Sequence, residues 1–78
     1  MEWRDRITAN PNVIGGKPAI RGTRLAVEYM LDLLANGMTI SDILQDWPGL
    51  APEDIQACIA YAADAVRLER MITVHPLS

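Results

Sequence analysis

The residues best suited to chemistry lie in one short stretch, Val13 to Val27, which reads VIGGKPAIRGTRLAV. Its three cations, Lys17, Arg21 and Arg24, stand among three glycines and a proline. Cations beside flexible backbone suit a loop that cradles phosphate or an arm that binds nucleic acid. The glycines alone are also what a β-hairpin needs for its turns. The rest of the sequence helps to decide among these three roles.

A nucleotide-binding loop does not fit this stretch. The Walker A pattern places Gly-Lys-Ser/Thr five residues after a first glycine. Here Gly16-Lys17 precedes Pro18, and Pro11 stands at the position of the first glycine. The dinucleotide fingerprint G-x-G-x-x-G fails as well, because Gly15 and Gly16 are adjacent and nothing downstream completes the pattern. We therefore expect no nucleotide cofactor.

The residue types that carry catalysis are equally isolated. The single histidine, His75, has no base or second ligand paired with it in sequence, and we interpret it as an exposed tail residue. Cys58 falls on the apolar stripe of a predicted helix, which favours a buried structural thiol over a nucleophile. Asp42 and Asp46 are interpreted as exposed carboxylates of an ordinary amphipathic helix. We expect no enzyme activity, no metal site and no cofactor.

Charge is divided unevenly along the chain. The net charge of the 78 residues is −3. Residues 1–24 hold five cations and two acids, whereas residues 25–78 hold two cations and eight acids. A basic head on an acidic body predicts that a phosphate-bearing partner would meet the head.

Composition excludes several classes of protein. Half of the residues are apolar, which is too many for a disordered chain, and the apolar runs are far too short to span a membrane. The charged start MEWRDR lacks the apolar segment of a secretory signal. We expect one domain over residues 1–78, located in the cytoplasm with its single cysteine reduced, and no contact with a membrane.

Turn signals and hydrophobic spacing predict three helices behind an extended head. Short apolar pieces separated by Asn-Pro, Gly-Gly and Arg-Gly predict a basic head over about residues 1–26, with two or three short strands or a hairpin. A three-helix body follows over about residues 27–71, and residues 72–78 form an irregular tail. The expected apolar stripes of the helices are Val27, Met30, Leu31 and Leu34; Ile40, Ile43, Leu44 and Trp47; and Ile55, Cys58, Ile59, Ala62 and Val66.

Capping residues set the expected helix ends. The first helix should run from about residue 26 to 36 and end at Gly37. Thr39 should cap the second helix, with Asp42 in its first turn, although Asp42 is not the Glu or Gln of a full capping box. The third helix should begin near Pro52.

The segment from Gly37 to Ala63 has the outline of a helix-turn-helix, with a short helix, a tight turn and a longer helix. The start of the second helix in such a motif reads base edges. Gln56 there can read adenine, but Glu53 and Asp54 would be repelled by phosphate. The head is better suited, because a ribbon can enter the major groove and an arm the minor groove. The candidate DNA- or partner-binding residues are Lys17, Arg21, Thr23, Arg24 and Gln56.

Three strings along the chain resemble one family. GKPxIRGTR at 16–24, DIL at 42–44 and WPxLxPEDI at 47–55 are similar to small bacterial proteins catalogued as domain of unknown function 433. The resemblance implies a mainly α, trihelical, homeodomain-like fold with a short N-terminal β-hairpin element. It also implies an antitoxin of a type II toxin–antitoxin pair, which binds its operator and blocks a PIN-like ribonuclease toxin. Ala51 departs from the family pattern, which usually has a Ser or Thr helix cap there.

Two classes of function remain open from the sequence. One is a DNA-binding autoregulator with a partner toxin, in which a dimer formed through the head strands presents two half-sites. The other is a protein–protein interaction module that does not bind DNA, in which the head cations pair with acidic helices of the same domain or of a partner. The basic head and the family favour the first class, and the acidic third helix favours the second.

Overall fold

The computed structural model describes the backbone of residues 1–73 and the side chains of residues 1–68. Within this range a short antiparallel hairpin is followed by three helices, which confirms the predicted mainly α, trihelical fold with an N-terminal β-hairpin. The elements are β1 (Ile7–Thr8), β2 (Ala19–Ile20), α1 (Val27–Ala35), α2 (Ile40–Asp46) and α3 (Pro52–Thr73). The irregular tail was predicted to start at residue 72, but α3 continues to Thr73. His75 lies outside the described residues.

The hairpin is very short and depends on glycine turns. Ile7 pairs with Ile20, and Thr8 pairs with Ala19. The chain between the strands turns through Gly16 at φ +86°, a left-handed conformation that side chains with a Cβ rarely adopt. The Gly-Gly signal in the sequence thus marks the turn that lets β2 return beside β1.

A Schellman motif ends α1. The Met38 N–H donates to the Leu33 carbonyl at 3.1 Å, and the Gly37 N–H donates to the Leu34 carbonyl at 3.0 Å. Gly37 has φ +101°. These bonds satisfy carbonyls that the helix end leaves open, so the predicted role of Gly37 is confirmed.

The start of α2 differs from the sequence prediction. Thr39 and Asp42 form a complete capping box: the Thr39 N–H donates to Asp42 Oδ2 at 2.9 Å, and the Asp42 N–H donates to Thr39 Oγ1 at 3.1 Å. Hydrogen bonds to the carboxylate, first of all that from the Thr39 backbone, lower the pKa of Asp42. Aspartate thus fills the place that the prediction reserved for Glu or Gln.

The core lies where the three helices meet beneath the hairpin. Its completely buried side chains come from all three helices and are Met30, Ile43, Ile55, Ala57 and Cys58. Burial raises the pKa of the Cys58 thiol to about 11, which keeps it protonated at neutral pH. Cys58 is thus a packing residue of the core, as the stripe predicted.

The buried face of α3 is shifted from the predicted stripe. Ile59 is 45% exposed and Val66 is 58% exposed, although both were expected in the core. The head packs against the other side of α3, so that Ala57 and Tyr61 are covered instead of Ile59. Val66 lies in the second half of α3 beside an open groove between α1 and α3, which leaves it exposed.

No helix within residues 1–73 is both long enough and apolar enough to cross a bilayer.

Candidate binding surface on the N-terminal head

Arg21 is held by the backbone of the head. Its Nε donates to the Asp5 carbonyl at 3.2 Å, and its Nη2 donates to the Arg4 carbonyl at 3.1 Å. Both carbonyls belong to a single 3-10 turn, Trp3–Asp5, that precedes β1. Arg21 remains exposed, and a guanidinium has five N–H groups, so donors remain for a partner after these two bonds.

Thr23 has a local role in the turn after β2. Its Oγ1 donates to the Ile20 carbonyl at 2.8 Å and accepts the Leu25 N–H at 3.0 Å. Gly22, the residue before it, has φ +80°. These bonds fix the turn that presents the two flanking arginines, so the structure places Thr23 as a support for them. A direct contact of Thr23 with a partner stays a prediction.

Arg24 is the second exposed cation at this turn. Among the side chains of residues 1–68, no hydrogen bond or ion pair engages it. Arg21, Thr23 and Arg24 line one open cavity of about 400 Å³, together with polar side chains from the β1 side. Those polar neighbours are Thr8 and Asn10, and no carboxylate of residues 1–68 lines this cavity. The cavity can therefore accept an anion by charge and by hydrogen bonds.

Lys17 and Gln56 lie apart from this cavity. The Lys17 Nζ donates to Glu28 Oε1 at 2.8 Å on an exposed surface, and this hydrogen bond raises the pKa of Lys17. The intramolecular pairing that the sequence left open is therefore present for Lys17. Gln56 is exposed near the start of α3. Of the five predicted binding residues, the structure brings together Arg21, Thr23 and Arg24.

An ion pair that the sequence did not indicate joins the head to α3. Arg6 Nη1 donates to Asp54 Oδ1 at 3.0 Å, and Asp54 Oδ2 accepts the Ala51 N–H at 2.9 Å. One carboxylate thus caps the helix start and binds the head. Since Arg6 balances its charge, Asp54 repels phosphate less than the sequence suggested, while Glu53 stays exposed. The two partners are 48 residues apart, so local spacing holds no signal of the pair.

Trp3 forms a second link between the head and α3. Its indole Nε1 donates to Asp64 Oδ2 at 2.6 Å, and its ring meets Tyr61 edge to face with centroids 4.9 Å apart. The Arg4 guanidinium lies 4.5 Å from the centre of the Trp3 ring. The hydrogen bond from Trp3 is the main reason that the pKa of Asp64 is lowered. The Trp3 side chain therefore packs on α3 of its own domain.

Known proteins match most of this architecture. The family model described as protein of unknown function (DUF433) matches residues 7–62, which include both strands, α1, α2 and the first half of α3. The chain is 34% identical over 70 residues to the uncharacterized protein y4eO of Sinorhizobium fredii, covering 88% of this chain and 32% of that protein. The chain thus spans about a third of the length of this curated relative.

A solved structure supports the same relationship. The crystal structure of a DUF433 member protein from Anabaena variabilis superposes with a TM-score of 0.73 at 30% sequence identity. The superposition covers 88% of this chain and 69% of the other.

Proposed function

The chain belongs to the DUF433 family of proteins of unknown function, and from that premise we propose that it is the antitoxin of a type II toxin–antitoxin pair. It acts by binding and catalyses no reaction. Its basic head contacts the DNA of its own operator, and the protein also binds and blocks a PIN-like ribonuclease toxin. Autoregulation follows from the combination of these two binding activities.

The single observation that supports DNA binding is the composition of the cavity at the head. Arg21 and Arg24 line it together with hydroxyl and amide groups and the apolar Val13 and Ala19, and no carboxylate is among its lining residues in the described part of the chain. Guanidinium groups suit phosphate because their N–H groups can donate two parallel bonds to its oxygens. Arg24 is available for such a contact without the loss of an ion pair among the described side chains. A turn held by Thr23 presents both arginines from a fixed position, which lowers the entropy cost of binding.

The helical body has a supporting role in this proposal. Gln56 is exposed near the start of α3, where the second helix of a helix-turn-helix contacts bases. Glu53 beside it is exposed and would be repelled by phosphate. The head therefore supplies most of the affinity, and Gln56 contributes base contacts.

The test is a fluorescence anisotropy titration of the protein against its own upstream DNA across a salt series. We expect sequence-preferring binding that weakens as salt rises. Arg24→Ala should weaken binding to all sequences and reduce the salt slope by about 1. Arg67→Ala is the matched control, because Arg67 is an exposed cation on α3 outside the head. Equal effects of the two variants, or no binding at low salt, would contradict DNA binding through the head.

A protein-binding module without DNA binding is the second candidate. It is favoured by the acidic surface of the body, where Asp42, Asp46 and Glu53 are exposed on α2 and at the start of α3. Such a module would bind a protein partner of unknown role and leave DNA unbound in the same titration. Absence of DNA binding both with and without purified toxin supports the module.

A further inference from the structure

The half of α3 that extends beyond the body borders an apolar groove. The groove has a volume of about 410 Å³ and lies between α1 and α3. Its walls are Val27, Leu31, Tyr61, Ala62, Ala65 and Val66. Val66 is 58% exposed. An exposed apolar groove is costly in water, so its covering is a source of binding free energy.

The groove is a continuation of the core. With about 100° between successive helix residues, Ile55, Ala62 and Val66 lie within roughly 40° of one another around α3. Ile55 is completely buried in the core, whereas Val66 on the same side of α3 is exposed and lines the groove. An exposed apolar side chain on the same side of the helix as the core offers a covering surface apolar area to bury.

We infer that a second copy of this chain covers the groove, with the α3 helices of the two copies packed against each other about a two-fold axis. Val66 of each copy enters the groove of the other. The small side chains of Ala62 and Ala65 let the two helix backbones approach closely. This arrangement differs from a dimer formed through the head strands, because it leaves the Arg21 and Arg24 cavity of each copy uncovered.

The charges at the rim favour a second copy over a partner of one charge. Lys17 and Glu28 stand at one edge of the groove as an exposed ion pair, with side chains 60% and 66% exposed. A rim with one cation and one anion is self-complementary, since a two-fold axis can bring the Lys17 of each copy toward the Glu28 of the other. A site selected for an acidic or a basic helix would carry a rim of one sign.

The charged side chains described on the second half of α3 do not interfere with this packing. Asp64 and Arg67 pair with each other. Both line a different groove, next to Trp3 and Arg4. The surface of α3 that faces α1 is therefore free of charge between Ala62 and Val66, which is what a tightly packed helix pair needs.

Sedimentation velocity of the full chain over a wide concentration range tests this inference. We expect a species of about twice 8.6 kDa that dissociates on dilution. Val66→Glu should raise the Kd of that dimer by roughly 100-fold, because it would bury an unpaired carboxylate in the interface. Leu68→Glu is the matched control, since Leu68 is also 58% exposed but lines the other groove. Far-UV circular dichroism checks that both variants keep their helices.

The rim supplies an independent variant. Glu28→Lys makes the rim wholly positive and should weaken the dimer, whereas the double variant Lys17→Glu with Glu28→Lys should restore it. A protein that is monomeric at all concentrations would overturn the inference. A dimer that persists in the Val66→Glu variant would also overturn it, because the interface would then lie on the head or elsewhere. A dimer that is disrupted by Leu68→Glu and not by Val66→Glu would overturn it as well. A monomeric protein that needs Val66 to bind its toxin would assign the groove to that partner instead.

Discussion

The starts of α2 and α3 use the same residue type for different purposes. At α2, Thr39 and Asp42 satisfy each other's backbone N–H groups in a closed local pair. At α3, Ala51 has no side-chain acceptor, and Asp54 caps the helix with one oxygen only. Its other oxygen binds Arg6 of the head. The comparison shows that a helix cap with one bond fewer can stabilise a tertiary contact. The same carboxylate of Asp54 caps α3 and binds the head through Arg6.

The largest effect should come from loss of the carboxylate at the α3 start. Asp54→Ala removes the cap of the Ala51 N–H and leaves the half-buried Arg6 without its partner. We expect a loss of roughly 2 kcal/mol in the free energy of unfolding, measured by urea denaturation. Asp54→Asn is the informative control, since it keeps an acceptor for the cap but loses the charge that binds Arg6. An Asp54→Ala variant as stable as the wild type would show that neither contact matters.

The cap of α2 should have a smaller and purely local effect. Thr39→Ala removes the hydroxyl that accepts the Asp42 N–H and should cost about 1 kcal/mol of stability. Hydrogen exchange should show increased opening of α2 with the head unchanged, because no contact of this capping box reaches β1 or β2. Increased exchange in the head would contradict the local role assigned to Thr39.

Completion of the second capping box should stabilise the protein. The Asp54 N–H now donates to the Ala51 backbone carbonyl at 2.9 Å. Ala51→Ser adds a side-chain acceptor for this N–H, so α3 would start as α2 does. We expect a gain of about 0.5–1 kcal/mol in thermal or urea unfolding. The Arg6 ion pair should persist, because Asp54 keeps both of its present bonds. Ala51→Gly is a control that changes the backbone without the hydroxyl, and an equal gain in both variants would assign the effect to the backbone.

Acid should weaken the α2 cap, and this should be the smallest change in stability among the four predictions. The pKa of Asp42 is lowered from 3.8 in the folded protein, so its charged form is favoured by folding. The stabilisation is present above pH 3.8 and is lost as pH falls through the lower folded pKa. Asp42→Asn should remove this part of the pH dependence. The measurement is the difference between the stability profiles of the two proteins, because the pKa of Asp64 is lowered as well and Asp64 contributes equally to both profiles. Parallel profiles would disprove the linkage.

The sequence predicted those features that depend on neighbours within about one helix turn. Gly37, Thr39 and Pro52 mark helix ends because capping acts over three or four residues. Arg21, Thr23 and Arg24 are near one another because a single turn carries them. The family strings are local as well, and the fold that they implied is confirmed.

Features that depend on distant pairs could not be predicted. Trp3 and Asp64 are 61 residues apart, and their hydrogen bond depends on how the head crosses α3. Because the head packs over Ala57, the buried face of α3 includes Ala57, whereas Ile59 of the expected stripe is exposed. Lys17 lies beside Glu28 of α1 and away from the Arg21 and Arg24 cavity, an arrangement that no spacing along the chain indicates.

The buried thiol of Cys58 can report how often the core of the protein opens. Cys58 is the single cysteine of the chain, and its side chain is completely buried among helices α1, α2 and α3. A thiol reagent can reach it only when the core separates, and the raised pKa keeps the closed form unreactive. The rate of labelling under native conditions therefore measures how often the three-helix core opens, without any engineered probe.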